Sequence, residues 1–392
     1  MASSLSSGRV ASLVFVGLVV VLAAASFMAD TSDPDTVHTT EQASFRVETV
    51  AEGLEVPWGL AFLPDGRLLV AERGGTLRSI GTDGTVSDPI GGVPAVYAEG
   101  QGGLMEVKLH PNYDENGWIY LGFSDVRENE AGERVSLTAV SRARLDGTSL
   151  VDLESIYQGP LEFYTPSQFH FGTRIVFDED GFLYFTIGDR GQRTLAQNLD
   201  VPYGKVHRLH DDGRVPADNP FVDQADALDT IWSYGHRNPQ GMDIHPATGG
   251  LFETEHGPKG GDELNLVERG LNYGWPVITY GINYNGTPIT DQTEQDGMEQ
   301  PVVYWTPSIA VCGIEFYTGT AFPEWENDLF VTSLMFAEVR RLEIENNEVV
   351  DQEVVYQPQG RIRDVTTGPD GALYVAVESG NSHILRLVPA DA

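Results

Sequence analysis

The alternation of apolar and polar residues sets the fold. A turn rich in Pro, Asp, Asn or Gly is followed repeatedly by a short alternating strand of Leu, Tyr, Phe and Val. Such strands bounded by turn residues read as β-hairpins. The unit appears at 64–70 (PDGRLLV), 112–120 (NYDENGWIY), 178–185 (DEDGFLYF), 245–252 (HPATGGLF), 323–331 (PEWENDLFV) and 369–375 (PDGALYV). From Gly66 through Gly117, Gly181, Gly250 and Asp328 to Gly371, successive copies are 43 to 78 residues apart. A four-stranded blade needs about 40 residues. Six copies with variable loops therefore predict an all-β, six-bladed β-propeller over 44–390, with Ser382–Leu387 closing the last blade. A β-sandwich accounts less well for the repeat. No long amphipathic helix interrupts the pattern.

A different pattern precedes it. Arg9 is followed by an apolar or small run from Val10 to Ala29, then by the acidic stretch Asp30-Thr31-Ser32-Asp33-Pro34-Asp35. This is the layout of a secretory signal peptide over 1–29, Ala23-Ala24-Ala25 supplying small residues for cleavage. The run also has the length of an uncleaved membrane anchor. No cysteine follows it to carry a lipid. Both readings export the domain, and 30–43 reads as a disordered linker.

Charge narrows the partners. Of 392 residues, 24 are Lys or Arg and 58 are Asp or Glu, a net −34. A nucleic-acid partner is excluded, because binding requires a basic face, and docking on anionic lipid is disfavoured. Only Lys108, Lys205 and Lys259 are lysines. This acidic surface suits a halophilic source and should be less stable at low ionic strength. Cys312, the single cysteine, lies in an apolar run and excludes an internal disulfide.

Propeller chemistry gathers in the loops at one mouth of the channel. Five polar clusters fall next to predicted strands. Gln168-Phe169-His170-Phe171-Gly172-Thr173-Arg174 offers His170 as a general base, and Gly188-Asp189-Arg190-Gly191 offers a carboxylate to orient it. Gly235-His236-Arg237-Asn238-Pro239-Gln240-Gly241 suits an oxygen-rich ligand. Glu255-His256-Gly257-Pro258-Lys259-Gly260-Gly261-Asp262-Glu263-Leu264-Asn265 provides hard oxygen ligands of the kind Ca²⁺ takes, without the spacing of a helix-loop-helix calcium loop. Arg361-Ile362-Arg363-Asp364 puts two arginines on one face, which would repel unless an anionic ligand or a neighbouring acid sits between them.

These motifs, in this order, resemble the soluble PQQ-dependent glucose dehydrogenase and aldose sugar dehydrogenase family. So do Val56-Pro57-Trp58-Gly59-Leu60-Ala61-Phe62 and Gly100-Gln101-Gly102-Gly103-Leu104-Met105, so that the likeness spans about 45–388. The resemblance implies a six-bladed propeller holding pyrroloquinoline quinone (PQQ) and Ca²⁺, and oxidation of an aldose at C1 to its lactone, with hydride passing to the quinone and an external electron acceptor as partner. It implies His170 as the base, Asp189 as its support and Arg237 polarising the quinone oxygen. Asn238, Arg361 and Arg363 would hold the cofactor, with Gln101 in the substrate-side loop and Trp305 the nearest candidate for a stacking tryptophan. The carbonyls of Gly257 and Pro258 would ligate the cofactor's Ca²⁺, and Glu263 and Tyr273 a second, structural one. One departure stands out: the family's cofactor-binding lysine aligns with Met335, and Arg340 is a candidate to replace its charge. The lack of long insertions resembles the broader aldose type. A Ca²⁺-dependent lactone hydrolase and a non-catalytic binding propeller are the rival readings. The arginine pair speaks against the first, and the joint presence of His170, Asp189, Arg237 and Asn238 against the second.

Overall fold

A computed structural model describes residues 36–391. Each repeated turn joins the first two strands of one antiparallel blade. At the first, Asp65 Oδ1 accepts the Arg67 N–H (3.1 Å) and the Gly66 N–H bonds Leu63 O (2.9 Å). Gly66 has φ +86°, a conformation that favours glycine. Asp370 caps its turn in the same way, and Asp178 accepts the Phe182 N–H across its own turn (2.8 Å). The recurring Asp and Gly thus fix the tip of the hairpin.

Blade 1 has three strands (Pro57–Phe62, Leu68–Glu72, Thr76–Ile80). Blades 2 to 5 have four each and span Leu104–Tyr157, Ile175–Tyr234, Pro239–Trp305 and Val311–Tyr356. Blade 6 joins the two ends of the domain: Arg361–Thr367, Leu373–Glu378 and Ser382–Pro389 are completed by Ser44–Leu54 and His38–Thr39. The first strand of every blade packs against that of the next, and blade 6 against blade 1, closing a ring. Six apolar clusters fill the six spaces between blades. Buried aromatic and branched residues on both faces of each sheet supply them, and burial of that area is the main cohesive term.

The expected linker is in part ordered. His38–Thr39 pairs with Ser44–Phe45, and the His38 ring packs against Phe45 (5.3 Å) and Tyr356 (5.1 Å). Burial of these rings draws the segment onto blade 6, so the sheet begins before residue 44. The signal or anchor segment, 1–29, lies outside the described residues. No helix among the described residues is long and apolar enough to cross a membrane.

The ring is tied at its axis by a buried ionic knot. The Arg174 guanidinium meets Glu106 at 3.3 Å and Asp364 at 3.0 Å, and donates to Gln240 O (2.5 Å) and Arg363 O (2.8 Å). Asp364 Oδ2 also accepts the Leu60 N–H (2.9 Å). Five blades meet on this one side chain or its partners, directly beneath the loops that carry the candidate chemistry.

Candidate active site

All six blades contribute to a cleft of about 320 Å³ on the axis. Trp58 and Arg73 come from blade 1, Gln101 and Met105 from the entry to blade 2, and Phe171 from the entry to blade 3. Asn238, Gln240 and His256 belong to blade 4, Leu334 to blade 5, and Arg361, Arg363 and Glu378 to blade 6. The Arg363 guanidinium lies 3.9 Å from the centre of the Trp58 ring, a cation–π contact that fixes its plane. Arg73 donates to Gly100 O (2.7 Å). The cleft is therefore cationic in a protein that is otherwise strongly acidic.

His170 stands beside this cleft in a left-handed conformation, φ +53°. A non-glycine residue keeps such a backbone only when its surroundings hold it there. Its N–H donates to Gln101 Oε1 (2.7 Å), and its Nδ1 meets Asp189 Oδ1 at 2.6 Å. Asp189 is buried; its Oδ2 accepts from Trp275 Nε1 (2.8 Å) and its Oδ1 from the Gly191 N–H (2.7 Å). Burial acts to raise the Asp189 pKa, but His170, Arg237 and the Gly191 N–H outweigh it and hold the carboxyl ionised. Burial lowers the His170 pKa below its usual 6.5, more than the hydrogen bond to Asp189 raises it. The result is a neutral imidazole with Nδ1–H pointing at Asp189 and a lone pair on Nε2 that meets no donor among the described residues, the form a general base needs.

Arg190, which the sequence places in a turn, clamps the loop carrying this histidine. Its guanidinium is buried without an acidic partner among the described residues, and burial pushes its pKa down to about 9. It donates to Phe169 O (2.5 Å), Ser167 O (2.6 Å) and Ser136 Oγ (3.0 Å), and stacks 3.4 Å from the centre of the Phe171 ring. Gly188 lets the loop lie flat, since a Cβ there would overlap the His170 carbonyl.

Arg237 donates to His256 O (2.7 Å) and Gly257 O (2.9 Å), so one of the two expected metal-ligating carbonyls is held by a cation. Its Nε is buried and unpartnered among the described residues, as is His256 Nε2. Burial drives the His256 pKa down to about 3, so this ring faces the cleft neutral. Asn238 also lines the cleft, its Oδ1 accepting the Gly172 N–H (3.3 Å). Asp262, expected as a hard ligand, is committed elsewhere: its oxygens accept from Gly257 N, Ser308 Oγ and Ala310 N. It shapes the Gly257–Pro258 loop.

Behind that loop lies an acidic cluster. Register pairs Glu253 with Asn265 and Glu255 with Glu263 on adjacent strands, so alternation brings all four to one face. His236 Nδ1 lies 3.6 Å from Glu255 and 3.9 Å from Glu253. His236 Nδ1, Glu253 Oε1 and Asn265 Oδ1 are buried without partners among the described residues. Burial, then the neighbouring Glu255, pushes Glu253 and Glu263 well above the usual carboxylate range. Sequence reasoning singles out Glu263, includes His236 and Glu255 only within longer motifs and omits Glu253; their convergence depends on strand register. Glu263, Glu255 and Tyr273 line one small cavity. The Tyr273 hydroxyl donates to Leu266 O (2.5 Å) and accepts the Glu268 N–H (2.8 Å).

Two expectations are corrected. Trp305 is not in the cleft: it is buried in the apolar cluster between blades 4 and 5, with Nε1 bonded to Gln352 (3.2 Å). Trp58 and Trp275 are the tryptophans beside the site. Arg340 does not replace the missing lysine, because it is paired with Glu338 (2.8 Å) and Gln352 (3.2 Å). Met335 is 63% exposed next to Leu334, and the cation the sequence reading overlooked is Arg73.

The sequence model of the glucose/sorbosone dehydrogenase family matches residues 54–386, and the chain belongs to that family. It is an oxidoreductase of the sugar-dehydrogenase type, which passes electrons from a sugar substrate to an electron acceptor. It is 42% identical over 356 residues to the aldose sugar dehydrogenase YliI of Escherichia coli (strain K12), covering 89% of this chain and 94% of the relative. The structure of the soluble aldose sugar dehydrogenase from Escherichia coli in the apo-form superposes with a TM-score of 0.83 at 40% identity, covering 88% of this chain and 99% of that one. The PQQ-bound aldose sugar dehydrogenase from Streptomyces coelicolor superposes with a TM-score of 0.72 at 27% identity, covering 89% and 99%.

Proposed function

We propose that the protein oxidises aldoses at C1 to the lactone with pyrroloquinoline quinone and Ca²⁺. The observation that carries the reading is one cationic cleft flanked by an Asp-oriented, neutral histidine with a free Nε2. His170 accepts the C1 hydroxyl proton at Nε2, and Asp189 steadies the imidazolium that forms. A bound quinone would supply the acceptor for the C1 hydride, and Ca²⁺ a Lewis acid beside it. Arg73, Arg361 and Arg363 suit an anionic cofactor, while the orphaned Nε of Arg237 and Nε2 of His256 suit its polar edge. Asn238 and Gln101 orient ligand and base, and the loop of Gly257 and Pro258 offers carbonyl oxygen to the metal. The gathered His236, Glu253 and Glu255, with Glu253 Oε1, His236 Nδ1 and Asn265 Oδ1 buried and unpartnered among the described residues, suit a second cation near Glu263 and Tyr273. A lactone hydrolase would have no use for the arginines in the cleft. The signal-like residues 1–29 support export to the periplasm or beyond.

Metal-depleted protein tests the metal and cofactor assignments. Calcium at a hundredfold excess over its dissociation constant should stabilise the fold by about 2.7 kcal/mol, read as a raised melting temperature. Quinone should then bind one equivalent per chain, more tightly with calcium than without. A melting temperature unmoved by calcium, or quinone binding indifferent to it, would contradict the assignment.

A further inference from the structure

Three N–H donors in the cleft converge on one carboxylate oxygen. Arg361 and Glu378 face each other in register across the first two strands of blade 6. Glu378 Oε2 accepts from Arg363 Nε (2.7 Å), Arg363 Nη2 (2.6 Å) and Arg361 Nε (3.2 Å). Its Oε1 accepts nothing among the described residues. One edge of the Arg363 fork, the edge suited to bidentate carboxylate recognition, is thus already filled. Arg363 is buried against Trp58, whereas Arg361 is half exposed. A buried guanidinium left without an acid would be costly, so Glu378 stabilises the ligand-free protein.

We propose that Glu378 is a built-in stand-in for a ligand carboxylate, neutralising Arg361 and Arg363 until an anionic cofactor takes its place. This rests on the quinone reading above. A carboxylate brought to the same arginines meets Glu378 as a like charge, and Glu378 must swing out or lose its hold. The residue therefore stabilises the empty cleft and weakens cofactor binding. Together with Met335 at the family's lysine position, it makes quinone loading exchangeable rather than permanent.

The test uses the full chain and two readouts. Quinone is titrated with calcium present, following tryptophan fluorescence, and thermal unfolding is measured without quinone. Glu378→Gln keeps the size and removes the charge. It should melt lower than the parent when empty, yet bind quinone about tenfold more tightly. Glu378→Asp keeps a charge for folding but is a methylene too short to hold both arginines, and should fall between the two. A merely structural clamp would lower both melting temperature and affinity, so binding equal to or weaker than the parent in both variants overturns the proposal. If folded parent and variants all fail to bind quinone, the functional reading itself falls and takes this inference with it.

Discussion

In protein reconstituted with quinone and calcium, His170→Ala should oxidise aldoses about 10²–10⁴ times more slowly than the parent. The loss should fall on kcat and kcat/KM together, because Nε2 acts only as the proton leaves. Quinone affinity should change little, since His170 is beside the cleft rather than among the residues lining it. The pH profile gives an independent check. The base must be neutral, so activity is full above the His170 pKa and is lost as pH falls through it. Burial holds that pKa below 6.5, which puts the acid limb below pH 6.5. Asp189→Asn removes the group that opposes this lowering, so its acid limb should move further down. Its amide also presents a donor to Nδ1, favouring the tautomer with the proton on Nε2, so its maximal rate should fall as well. An acid limb that stays in place in Asp189→Asn would detach Asp189 from His170.

Arg174→Met should destabilise the protein by about 3–5 kcal/mol, a large share of a typical domain stability of about 5–15 kcal/mol. The substitution keeps apolar bulk but leaves Glu106 and Asp364 buried without their cation, and two backbone carbonyls without a donor. The loss should depend on pH. Burial pushes Glu106 up to about 7 even with Arg174 present, and Asp364 is raised for the same reason. Without the arginine both carboxyls hold protons more firmly in the folded state than in the unfolded one. Stability of the variant is then greatest at acid pH and is lost as pH rises through the raised values. Urea unfolding should show a wider gap between parent and variant at pH 8 than at pH 5.5. A pH-independent gap would mean that the knot acts through packing alone.

The six hairpins were legible in the sequence because their turns are local: Asp65 and Gly66 determine one another's geometry within three residues. His170 and Asp189 were legible for a related reason, since they flank the first hairpin of a single blade. Contacts set by register or by the return of the chain were not. The pairing of Ser44–Leu54 with Ser382–Pro389 joins segments more than 300 residues apart. Glu253, Glu255 and His236 gather only once the strands of blade 4 are aligned. Trp305 was misassigned because sequence does not reveal which side of a three-residue strand faces an apolar neighbour, while Trp58 entered the cleft from the far end of the chain. The arginine puzzle had two answers in advance, a ligand anion or a neighbouring acid. Glu378, facing Arg361 across a strand pair, supplies the second without removing the site for the first.

The central claim is most directly tested by sugar-dependent dye reduction at high salt, with glucose, galactose, xylose and maltose as substrates. The metal-depleted protein would be assayed alone, with quinone, with calcium and with both. The account predicts reduction only when both are present, and its loss in His170→Ala. Folded protein that binds the quinone with calcium yet reduces dye with no aldose, or that reduces it equally well without His170, would contradict it.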